Sequence, residues 1–241
     1  MRNDRRTFLT SLSVGLGASG AGIALVGCSR SATGPTAATG DKDKESDDEV
    51  TPAEDLMREH GVLRRVMYLY DDAAVRLSAR DPAHVPLDAL AACAGIVRRV
   101  IEDYHEKLEE DFLFPRFEKA GKLADLTAIL RRQHVVGRAL TEQITQLARA
   151  SLADADRTRL AAALRNFNHM YRPHAAREDT VLFPGLRGLV GKRAYEELGD
   201  QFEDKEKQML GDHGFEHAVE QVAKLEQAFG LDDLAALTPA P

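Results

Sequence analysis

The sequence predicts an all-α fold, a four-helix bundle built from two repeated helical hairpins, with an additional C-terminal helical segment. Ala, Leu, Arg and Glu dominate the 241 residues and Trp is absent, which favours helices over sheets. Two stretches, HEKLEEDFLFP from His105 and HAAREDTVLFP from His174, share a His, a Glu four residues later, an acidic residue and Leu-Phe-Pro. A lone His precedes each stretch, at His60 and His134. The offsets between the halves are 74 and 69 residues, which is typical of two hairpins with slightly different loops.

Residues 1–28 have the pattern of an export signal, with a charged start and then an uncharged run from Leu9 to Gly27. The Arg pair in DRRTFLT resembles the twin-arginine export signal, and LVGC resembles a lipobox, in which Cys28 becomes lipid-modified after cleavage. The alternative is an uncut membrane anchor. We therefore predict an exported, membrane-anchored lipoprotein on the periplasmic or extracytoplasmic face, with residues 29–50 as a flexible linker.

The bundle is predicted to cover residues 51–190. Thr51, Pro52 and Glu54 form a capping pattern that predicts the start of a first helix ending near residue 79. Two prolines, Pro82 and Pro86, predict the loop that follows. A second helix is predicted from about residue 86 until Pro115 and Gly121 end it.

A third helix is predicted over about 123–150 and a fourth from about residue 154. Pro173 lies inside the fourth, where it predicts either a kink beside His174 or two shorter helices. Residues 191–241 are predicted to be covering helices and a tail. Gly211 and Gly214 interrupt them.

A formal charge of −7 and an isoelectric point near 5.6 argue against a nucleic-acid partner, which would require a basic face. With Cys28 assigned to the lipid, Cys93 is the remaining cysteine. Its Ala-rich surroundings predict a small buried side chain, and a single cysteine excludes thiolate-rich metal sites and a disulfide within the mature chain.

Six residues form the candidate metal site. They are His60, His105, Glu109, His134, His174 and Glu178. A His and a Glu four residues apart point the same way on a regular helix. Each pattern alone also occurs in surface or core helices, but its recurrence in both halves favours metal binding. Imidazole and carboxylate without sulfur suit iron, manganese or zinc, of which we favour iron.

This order of residues, with the paired Leu-Phe-Pro, resembles the hemerythrin-like (HHE cation-binding) domains, over about residues 53–190. The resemblance implies a non-haem di-iron centre with two Fe ions, oxo- or hydroxo-bridged, held by the six residues, with Glu109 and Glu178 bridging. Oxygen-carrying members use a fifth His four residues from the third-helix ligand. Here those positions hold Leu130 and Arg138.

Several residues are candidates to replace that ligand. Glu106 follows His105, and a similar Glu completes the site in some iron-sensing relatives, although neighbours on a helix diverge by about 100° and a surface position is the alternative. His169 is expected to be structural unless a bulge at Pro173 aligns it. His213 and His217 have the spacing of a second small metal site, but the two glycines break the helix there. His84 is predicted to be an exposed loop residue.

The predicted function is binding of O2, NO or peroxide for sensing, scavenging or protection outside the cytoplasm. The alternatives are a di-iron peroxidase or NO-detoxifying enzyme, a protein of iron storage or transfer, and a metal-free helical adaptor. The expected partners are a small diatomic or peroxide ligand and a membrane held through the lipid, with no nucleic acid. The sequence does not identify a redox partner.

Overall fold

The computed structural model describes residues 50–79, 85–148 and 153–239, so the export signal, most of the linker, Cys28 and His84 lie outside the described residues. Within these ranges every regular element is helical, which confirms the all-α prediction. The six helices are α1 (Pro52–Ser78), α2 (87–119), α3 (Ala124–Ala148), α4 (154–190), α5 (Lys192–Leu210) and α6 (Gly214–Phe229). None of them is both long and apolar enough to cross a membrane.

Helix α1 begins with the capping pattern that the sequence predicts. The side-chain oxygen of Thr51 accepts a hydrogen bond from the backbone N–H of Glu54, and Pro52 occupies the first turn, where its missing N–H is not needed. Hydrophobic residues then follow at helical spacing and bury one broad face of the helix against α4.

Helices α2 and α4 are interrupted at equivalent positions by a π-helical turn, Glu109–Leu113 in α2 and Glu178–Leu182 in α4. In each turn the N–H of the Phe that follows donates to the carbonyl of the Glu five residues earlier. The next residue in both cases is a proline, which has no N–H to donate and whose ring crowds the carbonyl four residues before it. The repeated Leu-Phe-Pro thus coincides with a repeated widening of the helix.

A longer π-helical stretch, Val97–His105, precedes the first of these turns in α2. Pro173, by contrast, lies within the continuous α-helical part of α4, Asp154–Arg177. The alternative of two shorter helices separated at Pro173 is therefore wrong, and the irregular backbone of α4 comes after Glu178.

The buried apolar side chains form two clusters, one on each side of a polar layer. The larger cluster includes Leu63, Ile101 and Phe167, and the smaller includes Leu56, Phe114 and Phe183. Helices α5 and α6 pack on α1 and α2, and together they contribute residues to both clusters. The layer between the clusters contains the candidate metal residues.

Candidate metal centre

All six predicted residues are buried and lie together in the polar layer: His60, His105, Glu109, His134, His174 and Glu178. Possible ligand atoms of Glu109, His134, His174 and Glu178 all lie within 4.8 Å of one another. A second group with the same spacing joins His60, His105 and Glu178. Glu178 belongs to both groups, so the layer can hold two neighbouring ions that share a carboxylate.

Each carboxylate is approached by imidazoles from both halves of the chain. The Oε2 atom of Glu178 lies 3.1 Å from Nε2 of His174 on its own helix and 3.4 Å from Nε2 of His60 on α1. Equivalent contacts surround Glu109, whose Oε2 lies 3.8 Å from Nε2 of His105 and 3.4 Å from Nε2 of His134. The two halves of the repeat are thus interleaved at the site.

The other ring nitrogen of each imidazole contacts a side chain that was not among the predicted ligands. The pairs are His60 Nδ1 with Asp179 (2.7 Å), His105 Nδ1 with Glu59 (2.7 Å), His134 Nδ1 with Glu110 (3.0 Å) and His174 Nδ1 with Gln133 (3.0 Å). An Nδ1–H that donates to such an acceptor fixes the ring and leaves the Nε2 lone pair for a metal ion. A signal was available, because each of the four adjoins a predicted ligand in the chain.

The polar atoms of the layer are better suited to bind a cation than to form hydrogen bonds with one another. Within the described residues, both carboxylate oxygens of Glu109 and Glu178 are buried and have no hydrogen-bond partner, and the same holds for Nε2 of His105 and His134. Buried acceptors without partners are costly, and cations bound between these atoms would satisfy them. The residues present therefore fit a metal site with nitrogen and oxygen ligands.

Without a cation, protons balance the charges of this layer. Burial would lower the pKa of His60, but the hydrogen bond with Asp179 and the nearby negative charge of Glu178 raise it to about 9. Burial would likewise lower the pKa of His134, but its carboxylate partners raise that pKa to about 10. Burial lowers the pKa of His105 to about 4. A bound metal ion would displace the protons of the two lone histidines.

The pKa values of the two carboxylates between the imidazoles are shifted in opposite directions. Burial and the nearby charge of Glu178 raise the pKa of Glu109. Burial would also raise the pKa of Glu178, but His174 and His60 lower it well below its ordinary value. The two carboxylates therefore disfavour each other's ionisation, and a cation bound between them would offset that repulsion.

Apolar rings cover the site on the side of the smaller cluster. Phe183 stacks on the imidazole of His60 and Phe114 stacks on that of His134, both with ring centroids 5.5 Å apart. Both phenylalanines come from the Leu-Phe-Pro segments and are fully buried. The Leu-Phe-Pro segments thus line one side of the site with apolar rings.

Glu106 is buried, so the alternative of a surface position is wrong. It accepts a hydrogen bond of 2.7 Å from the Tyr171 hydroxyl and pairs with Arg138 at 2.8 Å. Its carboxylate also forms a group with Glu110 and His134 in which possible ligand atoms lie within 4.8 Å. Burial raises the pKa of Glu106 to about 8. Glu106 therefore borders the site beside His134, and its role as an additional ligand in place of the fifth histidine stays a prediction.

Three other histidines take no part in the described site. His169 is exposed on α4, five residues before His174. His213 and His217 are also exposed, with ring centroids 6.5 Å apart, and belong to no possible metal-binding group among the described residues. Leu130, four residues before His134, is buried in the smaller cluster, so the position offers no ligand.

Comparisons with known proteins agree with the site. A family model described as the hemerythrin HHE cation binding domain matches residues 51–186. Uncharacterized proteins of Mycobacterium tuberculosis and of Mycobacterium bovis are each 42% identical to this chain over 228 residues, which are 93% of this chain and 89% of each relative.

Proposed function

Since this chain belongs to the family of hemerythrin HHE cation-binding domains, we propose that it is a non-haem di-iron protein that binds O2, NO or peroxide. The role would be sensing, scavenging or protection outside the cytoplasm. One observation carries the proposal: four imidazole Nε2 atoms and two buried carboxylates converge in one layer, and each imidazole is held at Nδ1 by a side chain.

The proposed ligands are the six residues of the layer, with Glu109 and Glu178 shared between the ions. Iron would supply a reversible change of oxidation state and, with six side chains for two ions, coordination positions open to a small ligand. The apolar walls formed by Phe114 and Phe183 limit water at the site and so favour a small, weakly polar ligand.

Turnover of peroxide or NO is the second candidate function, and Glu106 with Tyr171 favours it. A buried carboxyl and a phenol lie beside the histidines, and simple ligand binding requires neither. A decay of added hydrogen peroxide that depends on loaded iron and slows in Tyr171→Phe would support turnover. Saturable binding without consumption of peroxide would support the carrier or sensor role.

The membrane anchor is a separate proposal that depends on Cys28. Cys28→Ser should move the exported protein from the membrane fraction to the soluble extracytoplasmic fraction, and replacement of Arg5 and Arg6 by Lys should retain it inside the cell. Membrane association that survives Cys28→Ser would instead favour the uncut anchor.

Iron content and optical spectra test the di-iron proposal. Protein loaded anaerobically with Fe2+ should hold two iron ions per chain and develop near-ultraviolet and visible bands on exposure to air. Bands that disappear on removal of O2 would indicate reversible binding, whereas persistent bands would favour oxidation or turnover.

Variants of the proposed ligands, compared with a variant of an exposed histidine, test whether the proposed ligands hold the iron. The double variant His105→Ala with His174→Ala should lose the iron and the bands, because it removes one imidazole from each half of the site. His169→Ala is the control, since it removes an exposed histidine from the same helix as His174. Equal iron content in the double variant and the control would overturn the proposal, with circular dichroism used to establish that both are helical.

A further inference from the structure

The acceptors behind the four imidazoles follow the same two-fold repeat as the ligands. Glu59 and Gln133 directly precede the lone histidines, and each accepts from the paired histidine of its own half. Glu110 and Asp179 directly follow the ligand glutamates, and each accepts from the lone histidine of the opposite half. The surroundings of the metal site are therefore encoded twice in the chain.

At one of these two pairs of positions, the two halves of the chain carry the same kind of side chain. Glu110 and Asp179 are both carboxylates, and each also pairs with an arginine: Arg138 for Glu110 at 2.7 Å, and Arg64 for Asp179. The negative charge behind each lone histidine is thus offset by a nearby guanidinium. These two positions do not distinguish one half of the site from the other.

At the other pair of positions the two halves carry different side chains, because Glu59 in the first half corresponds to Gln133 in the second. Glu59 is only 1% exposed, and its carboxyl lies within 4.8 Å of those of Asp55 and Glu206. Gln133 is a neutral amide at a partly exposed position. An ionisable carboxyl therefore lies behind His105, whereas the equivalent position behind His174 carries a neutral amide.

The C-terminal helices contribute to this inequality. Glu206 lies on α5, outside the residues that the family model matches, and its Oε1 accepts a hydrogen bond of 2.9 Å from the backbone N–H of Phe215 on α6. That bond holds the Glu206 side chain between the two C-terminal helices and toward α1. The covering helices thus take part in the electrostatics of the site.

A carboxylate that accepts from a metal-bound imidazole makes that imidazole a stronger donor, and removal of such a partner typically costs about 10–100-fold in metal affinity. We propose that Glu59 makes the two metal positions unequal, so that the ion on the His60–His105 side binds first and more tightly than the ion on the His134–His174 side. This inference rests on the proposed binding of two ions.

Titration of the full, metal-free protein with Co2+, followed by calorimetry and by visible absorption, tests the inference. The wild type should bind two ions in two steps that differ in affinity by about 10–100-fold. Glu59→Gln gives both halves the same neutral acceptor, so the tighter step should weaken toward the other. Gln133→Glu should strengthen the weaker step. Glu54→Gln is the matched control, because it neutralises an exposed carboxylate on the same helix.

The order of loading is tested by variants that lack one half. Protein with His174→Ala should keep the tighter step, and protein with His105→Ala should lose it. Two bound ions with affinities unchanged in both Glu59→Gln and Gln133→Glu would overturn the inference and leave the proposed function intact. A wild type that binds no metal would overturn both. Because Gln133→Glu predicts a gain in affinity, the inference stays testable if Glu59→Gln does not fold.

Discussion

Gly137 on α3 lies against the hydroxyl end of Tyr171, and substitution by alanine should destabilise the protein although alanine is the better helix former. A Cβ atom built at position 137 would lie 1.9 Å from the Tyr171 hydroxyl oxygen and 2.6 Å from its Cζ. Two neighbouring rings limit movement of the Tyr171 ring, because its centroid lies 4.3 Å from that of Phe167 and 5.4 Å from that of His174.

The magnitude follows from three opposing contributions. Alanine in a helix is favoured over glycine by about 1 kcal/mol. Overpacking of a filled core costs about 1–3 kcal/mol. Displacement of Tyr171 also breaks its 2.7 Å hydrogen bond to buried Glu106, and a buried polar group left unpaired costs about 1–3 kcal/mol. The net destabilisation expected for Gly137→Ala is therefore about 1–5 kcal/mol.

Urea unfolding followed by helical circular dichroism measures this difference, with Gly95→Ala as the matched control. Gly95 is an exposed helical glycine with no atom within 4 Å of an added Cβ, so that variant should be more stable by about 0.5–1 kcal/mol. If Gly137→Ala is as stable as Gly95→Ala, Tyr171 is not held as the structure describes.

Three further predictions follow from single contacts. Burial raises the pKa of Cys93 to about 12, so the thiol should not react with a thiol reagent at pH 8 until urea unfolds the protein, and rapid labelling of the folded protein would contradict this. Thr51→Ala should cost about 1 kcal/mol in urea unfolding because the cap of α1 is lost, whereas Thr51→Ser should cost little. The raised pKa values of His60 and His134, about 9 and about 10, mean that the folded metal-free protein keeps protons that the unfolded chain loses above about pH 6.5. Their stabilising effect should therefore be complete near pH 6 and lost as the pH rises to 10, seen as a falling urea midpoint. A midpoint that rises over this range in metal-free protein, or falls equally in metal-loaded protein, would contradict the assignment.

Local sequence patterns were sufficient to predict the helices and to pick out the six candidate residues that lie together in the polar layer. The cap at Thr51, the glycine that ends α5 and the apolar surroundings of Cys93 are short-range features, and the structure agrees with each. The recurrence of a lone His and of His with Glu four residues later was stronger evidence for a shared site than any single motif, because a chance pattern is not expected to recur in the same order in both halves. The family match covers the same part of the chain.

The position of Glu106 could not be predicted from helical angles. Neighbours on a regular helix point about 100° apart, which places Glu106 away from the direction of His105. Helix α2, however, packs against α1, α3, α5 and α6, so several of its faces are buried at once. Arg138 and Tyr171, which belong to other helices, then supply the polar contacts that a buried carboxyl requires.

The sequence by itself determined the helical class, the duplicated set of candidate ligands and the prolines that accompany the π-helical turns, because these depend on residue type and on spacing within one helix. Tertiary structure alone decided which carboxylate faces which imidazole, since these pairs join distant parts of the chain, such as His60 with Asp179. It also decided that the carboxyl of Glu59 on α1 lies beside that of Glu206 on α5. Packing of separate helices brings those charges together, and a pattern along the chain does not contain that distance.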